Sequence, residues 1–196
     1  MKTLNPVIKA LIFLVALTTL CTAFLSFTNS VYQKVRAVRQ RELRMEIWEE
    51  FGNTVEPQSF DRDFSAAVTT GESKKNSFYL YAPGKLAALH LTGPGLWGDI
   101  ELLIFIDYSA RTVSEINVLS QVETPGLGGR IAEQQFLDQF RNLDYAGTVR
   151  IEKQSSGKPG AVEAISGATK TSANLEAIIN SGLQAFEATY EKEITP

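Results

Sequence analysis

The chain has 196 residues, 19 Lys and Arg against 22 Asp and Glu, one Cys and one His, so its length allows one ordinary domain beside a membrane anchor and excludes two large domains. From residue 45 onward, 12 basic residues face 21 acidic ones, and we therefore predict no nucleic-acid partner. One Cys and one His exclude an intrachain disulfide and a Cys-based metal site, and we predict neither a metal site nor an independent catalytic residue.

The first predicted element is a membrane anchor over residues 1–30. Residues 10–27 are uncharged and mostly apolar, a run long enough to cross a bilayer. A cleaved signal peptide has a shorter apolar region and a small-residue cleavage site, which this segment does not offer, so we predict that the anchor is retained. Five basic residues follow it and suit lipid headgroups, although the positive-inside rule alone places them in the cytoplasm. They are Lys34, Arg36, Arg39, Arg41 and Arg44.

Residues 31–75 are predicted to connect the anchor to a folded domain. Residues 31–51 space their apolar side chains mostly at three to five positions, which predicts a helical stalk. Residues 53–75 have no clear periodicity, so we expect an irregular connection that Phe60 and Phe64 anchor to a core.

Residues 76–196 are predicted to form an α+β domain, an antiparallel sheet packed by helices. Short aromatic or β-branched runs separated by turn residues predict strands at 77–82, 86–91, 99–107 and 112–122. Three further predictions are a helix over 132–141, a strand over 147–152 and a polar loop over 155–160. The last helix is predicted to begin near Thr171 or Ser172, because apolar residues then recur every three or four positions up to Tyr190.

A hydroxyl-rich segment stands where a loop turns into this last helix. Its sequence is Ser166-Gly167-Ala168-Thr169-Lys170-Thr171-Ser172. Free backbone N–H groups at the positive end of a helix bind anions. The alternative is a plain N-cap, in which Thr171 or Ser172 satisfies the first-turn amides, and the spacing alone favours this cap. The segment does not match a Walker P-loop.

Two glycine-rich segments precede it. Glu123-Thr124-Pro125-Gly126-Leu127-Gly128-Gly129 follows a predicted strand, and its glycines allow the backbone to approach a ligand. A tight turn with Pro at its first corner is the alternative. The second segment, Gly95-Leu96-Trp97-Gly98, places an indole between glycines, where Trp97 serves either as a ligand contact or as a core residue.

Together, and in their order along the chain after a single apolar segment, the three segments resemble the FMN-binding subunits of the Rnf and Nqr ion-translocating oxidoreductases. The compact length is most like the Rnf G subunit. The resemblance implies one covalent FMN per chain, joined by a phosphoester to the final Thr of the hydroxyl-Gly-Ala-Thr-x-Thr element, Thr171. Glu163 departs from the Asp that the family usually has at this place. The further cofactor-binding residues that the resemblance implies are Ser166, Gly167, Ala168, Thr169, Glu123, Thr124, Gly126, Leu127, Gly128 and Trp97.

The resemblance also implies a function and partners. The chain would be an electron-transfer subunit of a membrane translocase, with the other membrane subunits, the bilayer and an FAD-using flavin transferase as its partners. Its location would be the inner (cytoplasmic) membrane as a single-pass protein, with the domain on the periplasmic, extracytoplasmic side. A membrane-anchored extracytoplasmic sensory or interaction domain without flavin is the main alternative, and a stand-alone flavin-dependent reductase is another.

Overall fold

The computed structural model describes residues 5–154 and 159–191. The first four positions of the predicted loop over residues 155–160 therefore lie outside the described residues. The chain divides into two compact units, Met1–Val55 and Glu56–Pro196. The second unit thus begins before residue 76, where the sequence predicted the start of the folded domain. It includes a helix and a strand that lie within the predicted irregular connection.

The first unit contains one helix, α1 (Pro6–Glu50), of 45 residues. The Asn5 side chain accepts a hydrogen bond from the amide of Val7 at 3.0 Å, and Pro occupies the first turn, two features that favour a helix start. The helix is long and apolar enough to cross a membrane, with an 18-residue window of mean hydropathy 2.3. The predicted anchor and stalk are therefore one continuous helix, about 68 Å long at ~1.5 Å per residue.

The second unit is built on a six-stranded antiparallel sheet in the order β1-β2-β3-β4-β5-β6. The predicted α+β fold class is confirmed, and the four predicted strands correspond to β2 to β5. Five consecutive buried residues in β4 show that the centre of the sheet is covered on both faces. The strands are β1 (Thr69–Ser73), β2 (Asn76–Tyr81), β3 (Leu86–Pro94), β4 (Asp99–Asp107), β5 (Thr112–Ser120) and β6 (Leu143–Asp144).

The last helix, α4 (Thr169–Thr189), packs its apolar face across β3. A side chain at Gly182 would overlap Leu91, with its Cβ 2.3 Å from a methyl group of that leucine, so the helix and strand approach closely at this glycine. The rings of Phe78 and Phe186 meet edge to face at 6.0 Å. Buried side chains of this size each contribute about 1.5–3 kcal/mol, so the core holds α4 firmly on the sheet.

Two elements contradict the predicted irregular connection. Residues Phe60–Ala67 form the helix α2, and β1 pairs with β2 as an edge strand. Phe60 and Phe64 are buried, as predicted. The α2 helix has only eight residues and β1 is largely polar, so neither is long or apolar enough to produce a recognisable period in the sequence.

The region after β5 also differs from prediction. The helix expected over 132–141 is broken into the 3-10 turn Gly128–Ala132, the short helix α3 (Gln134–Leu137) and the 3-10 turn Asp138–Phe140. The predicted strand over 147–152 is shortened to β7 (Arg150–Glu152), which pairs in parallel with β8 (Ala161–Glu163).

Candidate functional site

The three segments singled out in the sequence meet at one end of the sheet. Antiparallel pairing places Pro94 opposite Asp99 and Glu101 opposite Ser120, so the β3–β4 turn lies beside the end of β5. The chain leaving β5 then reaches Glu123, whose side chain contacts the first turn of α4. Residues far apart in sequence thereby form one site.

The Glu123 carboxylate joins these segments. Its Oε1 accepts hydrogen bonds from the amides of Leu96 at 2.7 Å and Trp97 at 3.0 Å. Its Oε2 accepts one from the hydroxyl of Thr171 at 2.6 Å. We call this arrangement of Glu123, Leu96, Trp97 and Thr171 the Glu123 junction. Glu123 is 4% exposed and Thr171 is 1% exposed, so the carboxylate and the hydroxyl of the junction lie beneath the surface.

Two glycines make room for the junction. A Cβ on Gly95 would lie 2.5 Å from Glu123 Oε1, and a Cβ on Gly128 would lie 2.8 Å from Glu123 Oε2 and 2.6 Å from Thr171 Oγ1. Contacts this short require a neighbouring group to move, and both carboxylate oxygens are held by hydrogen bonds. Gly128 thus packs closely against a buried carboxylate.

Hydrogen bonds keep this buried carboxyl ionised. Burial raises the pKa of Glu123, but the Thr171 hydroxyl and the amides of Trp97 and Leu96 lower it, and the pKa lies below its ordinary value of 4.5. Hydrogen bonds to the charged form of a carboxylate have this effect. At neutral pH the site therefore contains a fixed negative charge.

The start of α4 has no side-chain cap. Its N-cap residue is Ala168, which offers no oxygen to the first-turn amides, and the amide of Ser172 is the first to bond back to the Ala168 carbonyl, at 3.0 Å. The predicted plain cap by Thr171 or Ser172 is therefore wrong. Among the described residues, the buried Ser172 hydroxyl has no hydrogen-bond partner. Uncapped amides and an unpaired buried hydroxyl thus occur together in this turn.

The two threonines of the motif differ in accessibility. Thr169, the first residue of α4, is exposed, whereas Thr171 is buried in the Glu123 junction. Thr169 lines a groove of about 1060 Å³ together with Ser166, Gly167 and Ser172. Within the described part of the chain, no hydrogen bond engages the Thr169 hydroxyl. Its oxygen is therefore the one that the turn presents to solvent.

Exposed apolar side chains border the site. Trp97 is 69% exposed, so its predicted alternative role as a core residue is wrong. A Cβ on Gly167 would lie 3.1 Å from a methyl group of Leu127, which places Leu127 beside the hydroxyl motif. Large apolar side chains are exposed at a cost unless something covers them. We call four of them the apolar patch: Leu96, Trp97, Val122 and Leu127.

The predicted loop after β5 is an exposed turn. The Thr124 carbonyl accepts hydrogen bonds from the amides of Leu127 at 3.1 Å and Gly129 at 3.0 Å. Gly126 has φ of +73°, and a Cβ there would meet no atom within 4 Å, so its backbone conformation accounts for the glycine. The loop thus presents Leu127 outward while Glu123 and Gly128 are buried.

The structure places all eleven predicted site residues in this region, but in different roles. Glu123, Gly128 and Thr171 are buried, while Thr124, Gly126, Leu127, Ser166, Gly167, Thr169 and Trp97 are exposed and Ala168 is the N-cap. Sequence reasoning named Gly95, Leu96 and Ser172 only as members of their segments and assigned no role to the Gly95 packing contact, the Leu96 amide or the unpaired hydroxyl of Ser172. Every residue except proline has a backbone amide, so a sequence pattern cannot identify the Leu96 amide as a donor.

The region that contains the site is similar to known proteins. Residues 95–184 match the family described as FMN-binding domain. The G subunit of the ion-translocating oxidoreductase complex of Methanosarcina acetivorans is 29% identical over 177 residues, 86% of this chain and 88% of that protein. The C subunit of the Na(+)-translocating NADH-quinone reductase of Vibrio alginolyticus is 34% identical over 91 residues, 43% of this chain but only 36% of that protein's length.

A solved structure supports the fold. The crystal structure of the C subunit of the Na(+)-translocating NADH-quinone reductase from Parabacteroides distasonis covers 79% of this chain and 92% of its own, with a TM-score of 0.54 and 19% identity. At that identity the likeness concerns the fold alone. The predicted resemblance is confirmed: residues 95–184 match the FMN-binding domain family, and the chain is similar to the G subunit of an ion-translocating oxidoreductase complex and to the C subunit of Na(+)-translocating NADH-quinone reductase.

Proposed function

We propose that this chain is the electron-transfer subunit of a membrane ion-translocating oxidoreductase complex of the Rnf type and carries one covalent FMN at the start of α4. The observation that carries the proposal is the uncapped first turn of α4, which contains Thr171, inside the region that matches an FMN-binding domain. The match to a G subunit over most of both chains supports the Rnf type.

The residues at the α4 start fit the phosphate of FMN. The uncapped amides and the positive end of the helix dipole favour an anion by about 0.3–1 kcal/mol, and no side chain of the described residues competes for those amides. The Ser172 hydroxyl, buried and unpaired in the same turn, is a further donor that a phosphate oxygen would satisfy. Ser166 and Gly167 line the same groove.

The proposed acceptor of FMN is Thr171, the final Thr of the hydroxyl-Gly-Ala-Thr-x-Thr element. A phosphoester requires a hydroxyl that the transferase can reach: the oxygen attacks the FMN phosphorus of FAD, AMP leaves and the hydroxyl proton is lost. Thr169 is exposed, whereas the Thr171 hydroxyl is buried and donates to Glu123 at 2.6 Å. Transfer to Thr171 therefore requires that the first turn of α4 open and that this hydrogen bond break.

The chain's own residues would bind and shield the cofactor. When bound, FMN accepts and passes on electrons, and the protein adjusts its potential through charge and hydrogen bonding. The apolar patch offers Leu96, Trp97 and Leu127 as surface on which a flat ring excludes water. The buried Glu123 carboxylate supplies a negative charge nearby. Within the described residues no group of three potential metal ligands occurs.

The proposed setting is the inner membrane, with α1 as a retained single span and the second unit on the periplasmic side. The apolar length of α1 supports the span, and the relation to ion-translocating complexes supports membrane partners. The basic residues after the span oppose this orientation under the positive-inside rule. A long following domain reduces the weight of that rule, because long domains translocate largely regardless of charge.

One experiment tests both the cofactor and its attachment. The full chain is produced with and without a flavin transferase, as wild type, Thr169→Ala, Thr171→Ala and Thr171→Ser. Flavin fluorescence in a denaturing gel and peptide mass spectrometry then report covalent FMN and its position. We expect labelling of the wild type on Thr171 and loss of labelling in Thr171→Ala, whereas Thr169→Ala keeps the acceptor hydroxyl.

Other outcomes have equally clear meanings. FMN found on Thr169, or full labelling of Thr171→Ala, would reject Thr171 as the acceptor. A wild-type chain that stays unlabelled beside a labelled positive-control substrate would reject the covalent flavoprotein and leave the sensory or interaction domain as the better explanation. Copurifying membrane subunits would support membership of a complex.

A further inference from the structure

We propose that the charge of Glu123 opposes the FMN phosphate, so that flavin attachment at Thr171 displaces this carboxylate and with it the turn that carries Trp97. The unmodified chain holds the Glu123 junction described above, and the flavinylated chain opens it. This inference rests on the proposed function, with Thr171 as the acceptor, and names the residue of the site that responds to attachment.

Ester formation at Thr171 removes a hydrogen-bond donor from Glu123. The Thr171 hydroxyl donates its one hydrogen to Glu123 Oε2 at 2.6 Å. A phosphoester replaces this hydrogen by phosphorus, and an ester oxygen has no proton to donate. The loss follows from the covalent chemistry alone, whichever way the Thr171 side chain turns. Of the three donors in the junction, only the amides of Leu96 and Trp97 are left to Glu123.

Attachment also brings a second negative charge to the junction. The phosphorus is bonded to the threonine oxygen that lies 2.6 Å from Glu123 Oε2 in the unmodified chain, and a phosphodiester is ionised at neutral pH. Glu123 is 4% exposed, so little water screens the two charges from each other. Burial and a like charge both disfavour an ionised carboxylate. Glu123 therefore has to turn away from the phosphate or take up a proton.

The displacement of Glu123 reaches the surface through the β3–β4 turn. The amides of Leu96 and Trp97 both donate to Glu123 Oε1, and their side chains are exposed members of the apolar patch. A carboxylate that moves carries these two amides with it or loses them. The unmodified chain thus holds the turn in place, and attachment frees its apolar side chains to pack on the flavin ring.

The opposite end of β4 offers a matched reference carboxylate. Asp107 Oδ1 accepts hydrogen bonds from the amides of Ser109 and Ala110 and from the Ser109 hydroxyl, each at 2.8 Å. Its donors are therefore of the same kinds as those of Glu123, two amides and one hydroxyl. Asp107 ends β4, whereas the junction lies beyond Asp99, where β4 begins. Ser109 is outside the hydroxyl motif, so FMN attachment leaves these three bonds unchanged.

The test compares the full chain purified in detergent from hosts with and without a flavin transferase. Peptide mass spectrometry first establishes that FMN is on Thr171. Hydrogen exchange at residues 96–97 and, as the control, at residues 109–110 is then measured on both forms of the wild type. Urea unfolding followed by circular dichroism is measured on both forms of the wild type, of Glu123→Gln and of the control variant Asp107→Asn.

We expect attachment to speed hydrogen exchange at residues 96–97 and to leave residues 109–110 unchanged. Glu123→Gln should raise the unfolding equilibrium constant of the unmodified chain by roughly tenfold, because it removes the charge that strengthens three hydrogen bonds. In the flavinylated chain the same substitution should raise this constant less, or lower it, since the neutral amide donates to a phosphate oxygen. Asp107→Asn should change the constant equally in both forms.

The outcomes separate this inference from the proposed function. Exchange at residues 96–97 that is equal or slower after attachment would overturn the inference, and so would an effect of Glu123→Gln that is the same in both forms. The exchange measurement uses the wild type alone, so it decides even if Glu123→Gln does not fold or is not labelled. FMN on Thr169 would overturn the inference while a covalent flavoprotein stands, whereas a wild type without flavin would reject the proposed function itself.

Discussion

Replacing Thr171 by Val isolates the energetic value of the buried hydroxyl. Valine has nearly the same shape, so the packing of a side chain that is 1% exposed changes little. Glu123 Oε2 loses its donor at 2.6 Å, while Oε1 keeps both amides. A hydrogen bond to a charged group contributes about 1.5–3 kcal/mol. We therefore expect Thr171→Val to lower the free energy of unfolding by about this amount at pH 7.

The loss should depend on pH in a defined direction. Hydrogen bonds to Thr171 and to the amides of Trp97 and Leu96 outweigh burial and lower the pKa of Glu123 from its ordinary value of 4.5. A carboxyl with a depressed folded-state pKa contributes stability above its unfolded pKa and loses that contribution as the pH falls through the folded pKa. The pKa of Glu123 should be lowered less in Thr171→Val than in the wild type. The difference between the two proteins should therefore be full at neutral pH and shrink below pH 4.5.

The assay is urea unfolding of the full chain in a mild detergent at pH 7 and at acidic pH, followed by circular dichroism. Thr171→Ser is the control, because it keeps the hydroxyl and should retain most of the stability that Thr171→Val loses. An equal free energy of unfolding for wild type and Thr171→Val at pH 7, or a difference that does not change at acidic pH, would refute the reasoning.

Three other predictions follow from particular contacts. Gly128→Ala should lower the free energy of unfolding by about 1–3 kcal/mol through overpacking, because its Cβ would lie 2.6 Å from Thr171 Oγ1. A variant as stable in urea as the wild type would contradict this. Gly126→Ala should lower the free energy of unfolding by about 1–2 kcal/mol because of the φ of +73° alone. Gly126→Asn should lower it less in the same urea titration. In a Cys21→Ser, Glu133→Cys variant, a membrane-impermeant maleimide should label the new cysteine in intact cells whose outer barrier is permeable. Labelling only after lysis would show that the domain lies on the cytoplasmic side.

The sheet was predictable because its strands are apolar enough to show their length and boundaries. β2 to β5 lie between turn residues that sequence alone identifies, and the apolar spacing of α4 is equally clear. The α2 helix and β1 were missed because their stability comes from packing and pairing. Phe60 and Phe64 are the only buried residues of α2, and β1 depends on its hydrogen bonds to β2.

The candidate site was predictable as three segments but not as an arrangement. Motif order and glycine content identified the loops, whereas the depth of each residue depended on tertiary contacts. The sequence placed Glu123 in a glycine-rich loop and the resemblance made it a cofactor-binding residue; in the structure it is a buried carboxylate, because two backbone amides and one hydroxyl solvate it in place of water. Backbone amides carry no residue identity, so a sequence pattern cannot reveal that such donors converge.

The phase of α4 explains why one short motif can supply both a buried and a presented hydroxyl. Successive helix residues turn by about 100°, so Thr169 and Thr171 point about 200° apart and cannot both face the groove. Ser172 lies three positions after Thr169 and shares its side of the helix, which agrees with the groove that both residues line. Once Glu123 holds Thr171 toward the core, Thr169 must face outward. The contact that buries one threonine is therefore also the contact that presents the other.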